Sequence, residues 1–131
     1  MKTNLLKISL LILAFTLTGT GCEKKEEILK TGNVIFYTNA QAIVNCGPFN
    51  VEIYLDNHLV GMISTPFTED TQPDCINSTA TTMLEKKEGQ YNYTAKMNCG
   101  QYGEWSGEFE ITPEICTFVY LDINQCATKN D

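Results

Sequence analysis

The chain has 131 residues and a formal net charge of −7. Sixteen acidic residues against nine basic ones argue against nucleic acid as a partner and against electrostatic docking on anionic lipid, and six cysteines in so small a protein point to an oxidising compartment. Residues 1–21 hold Lys2 and Lys7 and no acid, so their removal leaves 7 basic against 16 acidic residues, a net charge of −9 on a body large enough for one domain.

Lys2 and Lys7 form a positive n-region, and Leu10-Leu11-Ile12-Leu13-Ala14-Phe15 is a short apolar run leading into small residues. This is the pattern of a secretory signal, well short of the ~20 apolar residues of a spanning helix and without a following stop-transfer segment. Gly19, Thr20 and Gly21 directly before Cys22 resemble the bacterial lipoprotein signal, in which the cysteine is lipidated and becomes the first residue of the mature chain. Gly19 stands where that pattern usually has Leu, and the other reading of Cys22 is a disulfide cysteine beside an ordinary cleavage site. The resemblance implies several acyl chains of the palmitate kind on Cys22, and at ~0.8 kcal/mol per buried CH₂ these hold a protein on a membrane. Residues 22–31 are then the lipidated cysteine and a tether. Its Glu23-Lys24-Lys25-Glu26-Glu27 run buries nothing and is either a plain spacer or, by resemblance to some Gram-negative lipoproteins, a surface-export tag.

Residues 32–131 read as the folded domain. Asn33 to Asn39 is β-branched and aromatic, hence a strand, and Ala40 to Pro48 is a loop. Val51, Ile53 and Leu55 alternate with Glu52, Tyr54 and Asp56; Asp56-Asn57-His58 supplies turn chemistry, and Leu59 to Ile63 returns as the second arm of a hairpin. Ser64 to Ser78 has no periodicity and is a loop of unusual length, held down by a bridge through Cys75. Thr79 to Leu84 reads as a strand and Glu85 to Gly89 as a charged turn. Tyr91, Tyr93, Ala95 and Met97 then alternate with polar residues, as do Trp105, Gly107, Phe109 and Ile111; Cys116 to Ile123 closes the series with Val119, Leu121 and Ile123 inward. No segment sustains helical spacing. The expectation is all-β: a small antiparallel β-sandwich of about seven strands, stapled by disulfides.

The run from Val51 to Gly61, followed by Leu84 and by Gly89-Gln90-Tyr91-Asn92-Tyr93-Thr94-Ala95, is similar to PEGA-type surface domains: strand, Asp-led turn, strand with Gly, then Leu, Gly-x-Tyr and a strand. It covers about half of the mature chain, and the long Cys75 loop and the Trp105-Ser106-Gly107 strand depart from it. What this resemblance implies is a small sandwich of the cell envelope with no catalytic residue to carry over.

The candidate chemistry is sparse. His58, the one histidine, falls in a turn, and neither a Gly-x-Ser-x-Gly elbow nor paired cysteine or histidine ligands are present, so no catalytic residue, cofactor or metal is expected. Glu104, Glu108 and Glu110 share one strand face, which reads as a solvated surface, since hard-cation sites draw six or more oxygens, usually from a loop. Tyr37, Tyr54, Phe118 and Tyr120 fall on the parity opposite the core. They are either a binding patch for a protein or sugar or are partly covered by the Ser64 to Ser78 loop.

With Cys22 given to lipid, five cysteines remain, hence two bridges and one leftover thiol. Strands running alternately up and down place Cys46, Cys75, Cys99 and Cys126 at one end and Cys116 at the other, which makes Cys116 the odd thiol. Three pairings of the other four remain, and Cys46–Cys75 with Cys99–Cys126 is favoured because the first pins the long loop to the base of the hairpin it leaves. The functional expectation is a non-catalytic lipoprotein of the bacterial outer membrane, lipid-anchored and displayed outward as a binding or structural module. The alternative is an accessory glycan- or protein-binding lipoprotein of an uptake system.

Overall fold

A computed structural model describes residues 21, 26–40, 48–98 and 103–126. Among these residues, seven strands, β1 (Thr31–Thr38), β2 (Val51–Leu55), β3 (His58–Ile63), β4 (Thr81–Lys87), β5 (Gly89–Met97), β6 (Glu104–Ile111) and β7 (Cys116–Leu121), are followed by a 3₁₀ turn, Ile123–Gln125. They form a three-stranded sheet, β4-β1-β7, and a four-stranded sheet, β3-β2-β5-β6. Alternation decides which side chains meet between them. Val34 and Phe36 of β1 and Val119 and Leu121 of β7 face Val51, Ile53, Ala95, Trp105, Phe109 and Ile111 of the other sheet, and all are buried in one apolar cluster. The Phe36 ring stands edge-on to Tyr93 and to Phe109, with centroids at 5.5 and 5.6 Å, which fastens one sheet to the other.

The hairpin β2–β3 turns as its sequence indicates. Asp56 and Asn57 take φ of 49° and 65°, the positive values of a two-residue type I′ turn, which Asp and Asn tolerate better than other side chains. The charged segment Glu85 to Lys87, by contrast, is not a turn but the end of β4, paired with Thr31 to Asn33. Because β4 is an edge strand, its charged side chains reach water while its backbone stays in the ladder. Thr31 Oγ1 donates to Glu85 Oε1 at 2.7 Å across that ladder.

One pair departs from an all-antiparallel sheet: β1 and β7 run parallel, with Asn33 opposite Cys116 and Tyr37 opposite Tyr120. Two odd-numbered strands of an up-and-down series point the same way, so this pair preserves the alternation of strand direction.

The loop after β3 is the larger surprise. It is pinched at its base, where the Ser64 and Thr65 amides both donate to the Thr79 carbonyl at 2.9 Å, and it forms a compact Ω-loop. From there it lies across the outer face of the three-stranded sheet. The Phe67 amide donates to the Thr38 carbonyl, Thr81 Oγ1 donates to the Ile76 carbonyl at 2.7 Å, and the Met83 amide donates to Asn77 Oδ1 at 2.6 Å. Beneath it sits Ile35. Its parity is that of Tyr37, away from the core, yet it is fully buried at the centre of the sheet between Met83 and Phe118.

This lid overturns the expected cystine pattern. Cys75 is bonded to Cys116, with Cα atoms 6.3 Å apart, so Cys116 is not the odd thiol and Cys75 is not paired with Cys46. The strand directions were rightly inferred, but the loop does not stay at the end of the sandwich where it begins. It runs down the sheet face and carries Cys75 to the start of β7. Cys46 and Cys99 lie outside the described residues. Cys126, whose expected partner Cys99 is thus not described, follows the 3₁₀ turn and packs partly against the core beside the Gly103 and Glu104 backbone, where burial pushes its pKa up.

Candidate functional site

The two poles of the sandwich differ. At one, β1 begins with Thr31, adjoining the 112–115 turn through the Glu114 amide, which donates to the Thr31 carbonyl; Ile28, Leu29 and Ile115 are exposed there. At the other, about 20 Å along β1 by the strand rise of ~3.3 Å per residue, lie Tyr37 and the neighbouring Tyr120 of β7. Their rings stack at 5.0 Å with planes 28° apart. Phe67, from the Ω-loop, stands edge-on to Tyr37 at 5.5 Å. These rings form one wall of an open groove of about 510 Å³, completed by Asn39 and by the loop residues Thr68, Glu69, Asp70, Thr71 and Gln72.

Each part is positioned by an identifiable contact. The Cys75–Cys116 bridge and the hydrogen bonds to β4 fix the loop that carries Phe67, Glu69, Asp70 and Gln72. Asn39 is tied to the segment after β7: its side-chain amide donates to Asp122 Oδ1 at 3.2 Å and its Oδ1 accepts from the Ile123 backbone amide at 2.8 Å. Asp122 also caps the 3₁₀ turn, and the Asn124 amide together with the Asn39 and Asn124 side chains holds its carboxyl below the usual range. Tyr37 is half-buried, and burial first, with Tyr120 beside it, raises its pKa. Both effects keep the Tyr37 hydroxyl protonated, able to donate as well as accept.

Of the four aromatics read from strand parity, the fold therefore brings two together. Tyr37 and Tyr120 share the groove. Phe118 pairs with Ile35 in the middle of the lidded face and is half-buried. Tyr54 lies on the outer face of the opposite sheet, where its hydroxyl donates to Glu52 and Lys96 Nζ stands 5.1 Å from its ring centroid. Phe67, the third ring of the groove, was missed, and so were the acidic and amide groups of its loop. No periodicity marks that segment; the only signal was the density of turn residues around Cys75.

Elsewhere, His58 opens β3, exposed, with its Nδ1 2.9 Å from the Asp56 carbonyl. Ser106 is exposed on β6, as are Glu104, Glu108 and Glu110. Among the described residues no three His, Cys, Asp or Glu side chains converge. Cys22 and residues 23–25 of the tether lie outside the described residues.

Comparison with protein-family models, with curated proteins and with solved structures gives no match.

Proposed function

We propose that this protein is a non-catalytic lipoprotein of the bacterial cell envelope, anchored to the outer membrane through Cys22 and displaying a PEGA-like sandwich as a binding module. The observation that carries the reading is the apolar run ending in Gly21-Cys22, followed by a charged stretch and a single stapled β-domain. Polarity along β1 supports it. Residues 22–30 join the anchor to the pole at Thr31 and span at most about 30 Å, so the aromatic groove lies at the pole away from the point of attachment.

Cys22→Ser should move the protein from the membrane fraction to the soluble fraction. A variant that stays with membranes after a carbonate wash sinks the anchoring. Outward display rests on the tether: Lys24 to Glu27 replaced with Ala should leave the protein anchored but protect it from external protease, and unchanged cleavage makes the tether a spacer.

The Tyr37–Tyr120–Phe67 groove specifically favours a second reading, an accessory lipoprotein that captures glycan or protein for an uptake system. A pull-down from envelope extracts alongside a glycan array separates it from a purely structural role.

A further inference from the structure

We infer that the groove at the pole of Tyr37 and Tyr120 is a carbohydrate site, taking a short stretch of sugar chain that bears no acidic groups. The inference rests on the second reading above and gives it a ligand class.

Three observations define the occupant. First, the rings make a platform, not a cage. An aromatic cage for an ammonium group turns several ring faces into one cavity, whereas here Tyr37 and Tyr120 cover each other's faces at 5.0 Å and Phe67 meets Tyr37 edge-on at 5.5 Å. Tyr120 stays 46% exposed beside Tyr37 and lines the groove. Exposed, flat aromatic surface of this kind suits the C–H face of a sugar ring.

Second, the rest of the lining is polar and held in place. Glu69, Asp70 and Gln72 are exposed along the groove on a loop bonded to β7 through Cys75. Carboxylates accept from hydroxyls and an amide both donates and accepts, the complement of vicinal sugar hydroxyls. The loop from Ser64 to Ser78 contains no Lys or Arg, so it offers nothing to neutralise a uronic or sialic acid carboxylate, and its own carboxylates repel one.

Third, the groove is ill-suited to a protein. At about 510 Å³ it falls in the small-ligand range of ~300–1,000 Å³. Of the large apolar side chains exposed among the described residues, only Tyr120 lines it, where a protein interface centres on a cluster of buried anchors.

The test is saturation-transfer NMR on the mature chain in a zwitterionic detergent, which avoids sugar-based detergents and makes the result independent of the anchor. The probes are tetrasaccharides of glucose, mannose and N-acetylglucosamine, with tetragalacturonate and tetralysine as contrasts. The expected result is transfer to at least one of the three acid-free tetrasaccharides and none to tetragalacturonate. Tyr120→Ala should weaken that binding at least about tenfold, Tyr120→Phe should restore it, and Tyr54→Ala, on the opposite sheet, should leave it unchanged. A thermal melt of each variant separates lost binding from lost fold. Transfer to none of the three, equal transfer to tetragalacturonate, binding indifferent to Tyr120→Ala in a folded variant, or binding of tetralysine alone would each overturn the assignment. None of these outcomes bears on whether Cys22 is lipidated.

Discussion

Replacing Cys75 and Cys116 together with Ser removes a bridge between residues 41 apart in the chain. Restoring the freedom of a loop of that length lowers stability by about 4 kcal/mol at 25 °C in the chain-entropy treatment, a large part of the ~5–15 kcal/mol that holds a domain of this size together. At roughly 4–8 °C per kcal/mol, melting should fall by about 15–30 °C. The loss is also local. With the bridge gone the Ω-loop keeps its base at Thr79 and its bonds to Thr81 and Met83, but nothing covalent holds it over Ile35. Urea unfolding of the double variant measures the first effect, and hydrogen exchange resolved by segment measures the second, with amides of residues 67–76 gaining exchange before those of β2, β5 and β6. A stability change below about 1 kcal/mol, together with unaltered exchange in the loop, would refute the view that the bridge is what seats the lid.

Ile35→Ala should cost about 2–5 kcal/mol, the value for a large side chain removed from a packed interior, although its parity is that of a surface position; a change within about 0.5 kcal/mol in urea unfolding would mean that the face is open to water. Gly32→Ala should destabilise by at least about 1–3 kcal/mol, because a Cβ there would stand 2.2 Å from the Thr112 carbonyl oxygen, a backbone atom that cannot swing away; an unchanged melting temperature would contradict the close approach of β1 to the 112–115 turn. Burial raises the pKa of Tyr37 and of Tyr93 above the ordinary value of 10.0. The unfolded chain therefore loses these protons first, and stability should fall as pH rises above 10. Urea midpoints followed from about pH 9 to about pH 11 should show that decline, and Tyr37→Phe with Tyr93→Phe should flatten it.

The strands were legible wherever one face meets the core and the other meets water. Val51, Ile53 and Leu55 alternate with Glu52 and Tyr54 because the four-stranded sheet is covered on one side only, and the same holds for Trp105, Phe109 and Ile111 against Glu104, Ser106, Glu108 and Glu110. In β1 that signal is lost, since Val34, Ile35 and Phe36 are all buried: the core covers one face and the lid the other. Such a run announces a strand but not what lies over its outer face. The same gap hid the cystine. Strand directions were inferable, but a loop that leaves its own end of the sandwich and crosses a face does so through contacts with Thr81, Met83 and Cys116, all distant in sequence or unmarked by pattern. Charge misled at Glu85 to Lys87, where an edge strand carries residues that otherwise mark turns. The groove was half legible. Tyr37 and Tyr120 share a parity that points outward, and β1 pairing with β7 makes them neighbours, whereas Phe67 reaches them only through the fold of the Ω-loop.

Anchoring through Cys22 is the claim on which the orientation of the groove depends. Its most direct test is the mass of the N-terminal peptide of the mature protein taken from cells. The expected result is a chain beginning at Cys22 with acyl chains on that residue. A mature chain that begins elsewhere, or that begins at Cys22 with an unmodified or disulfide-bonded cysteine, would contradict it.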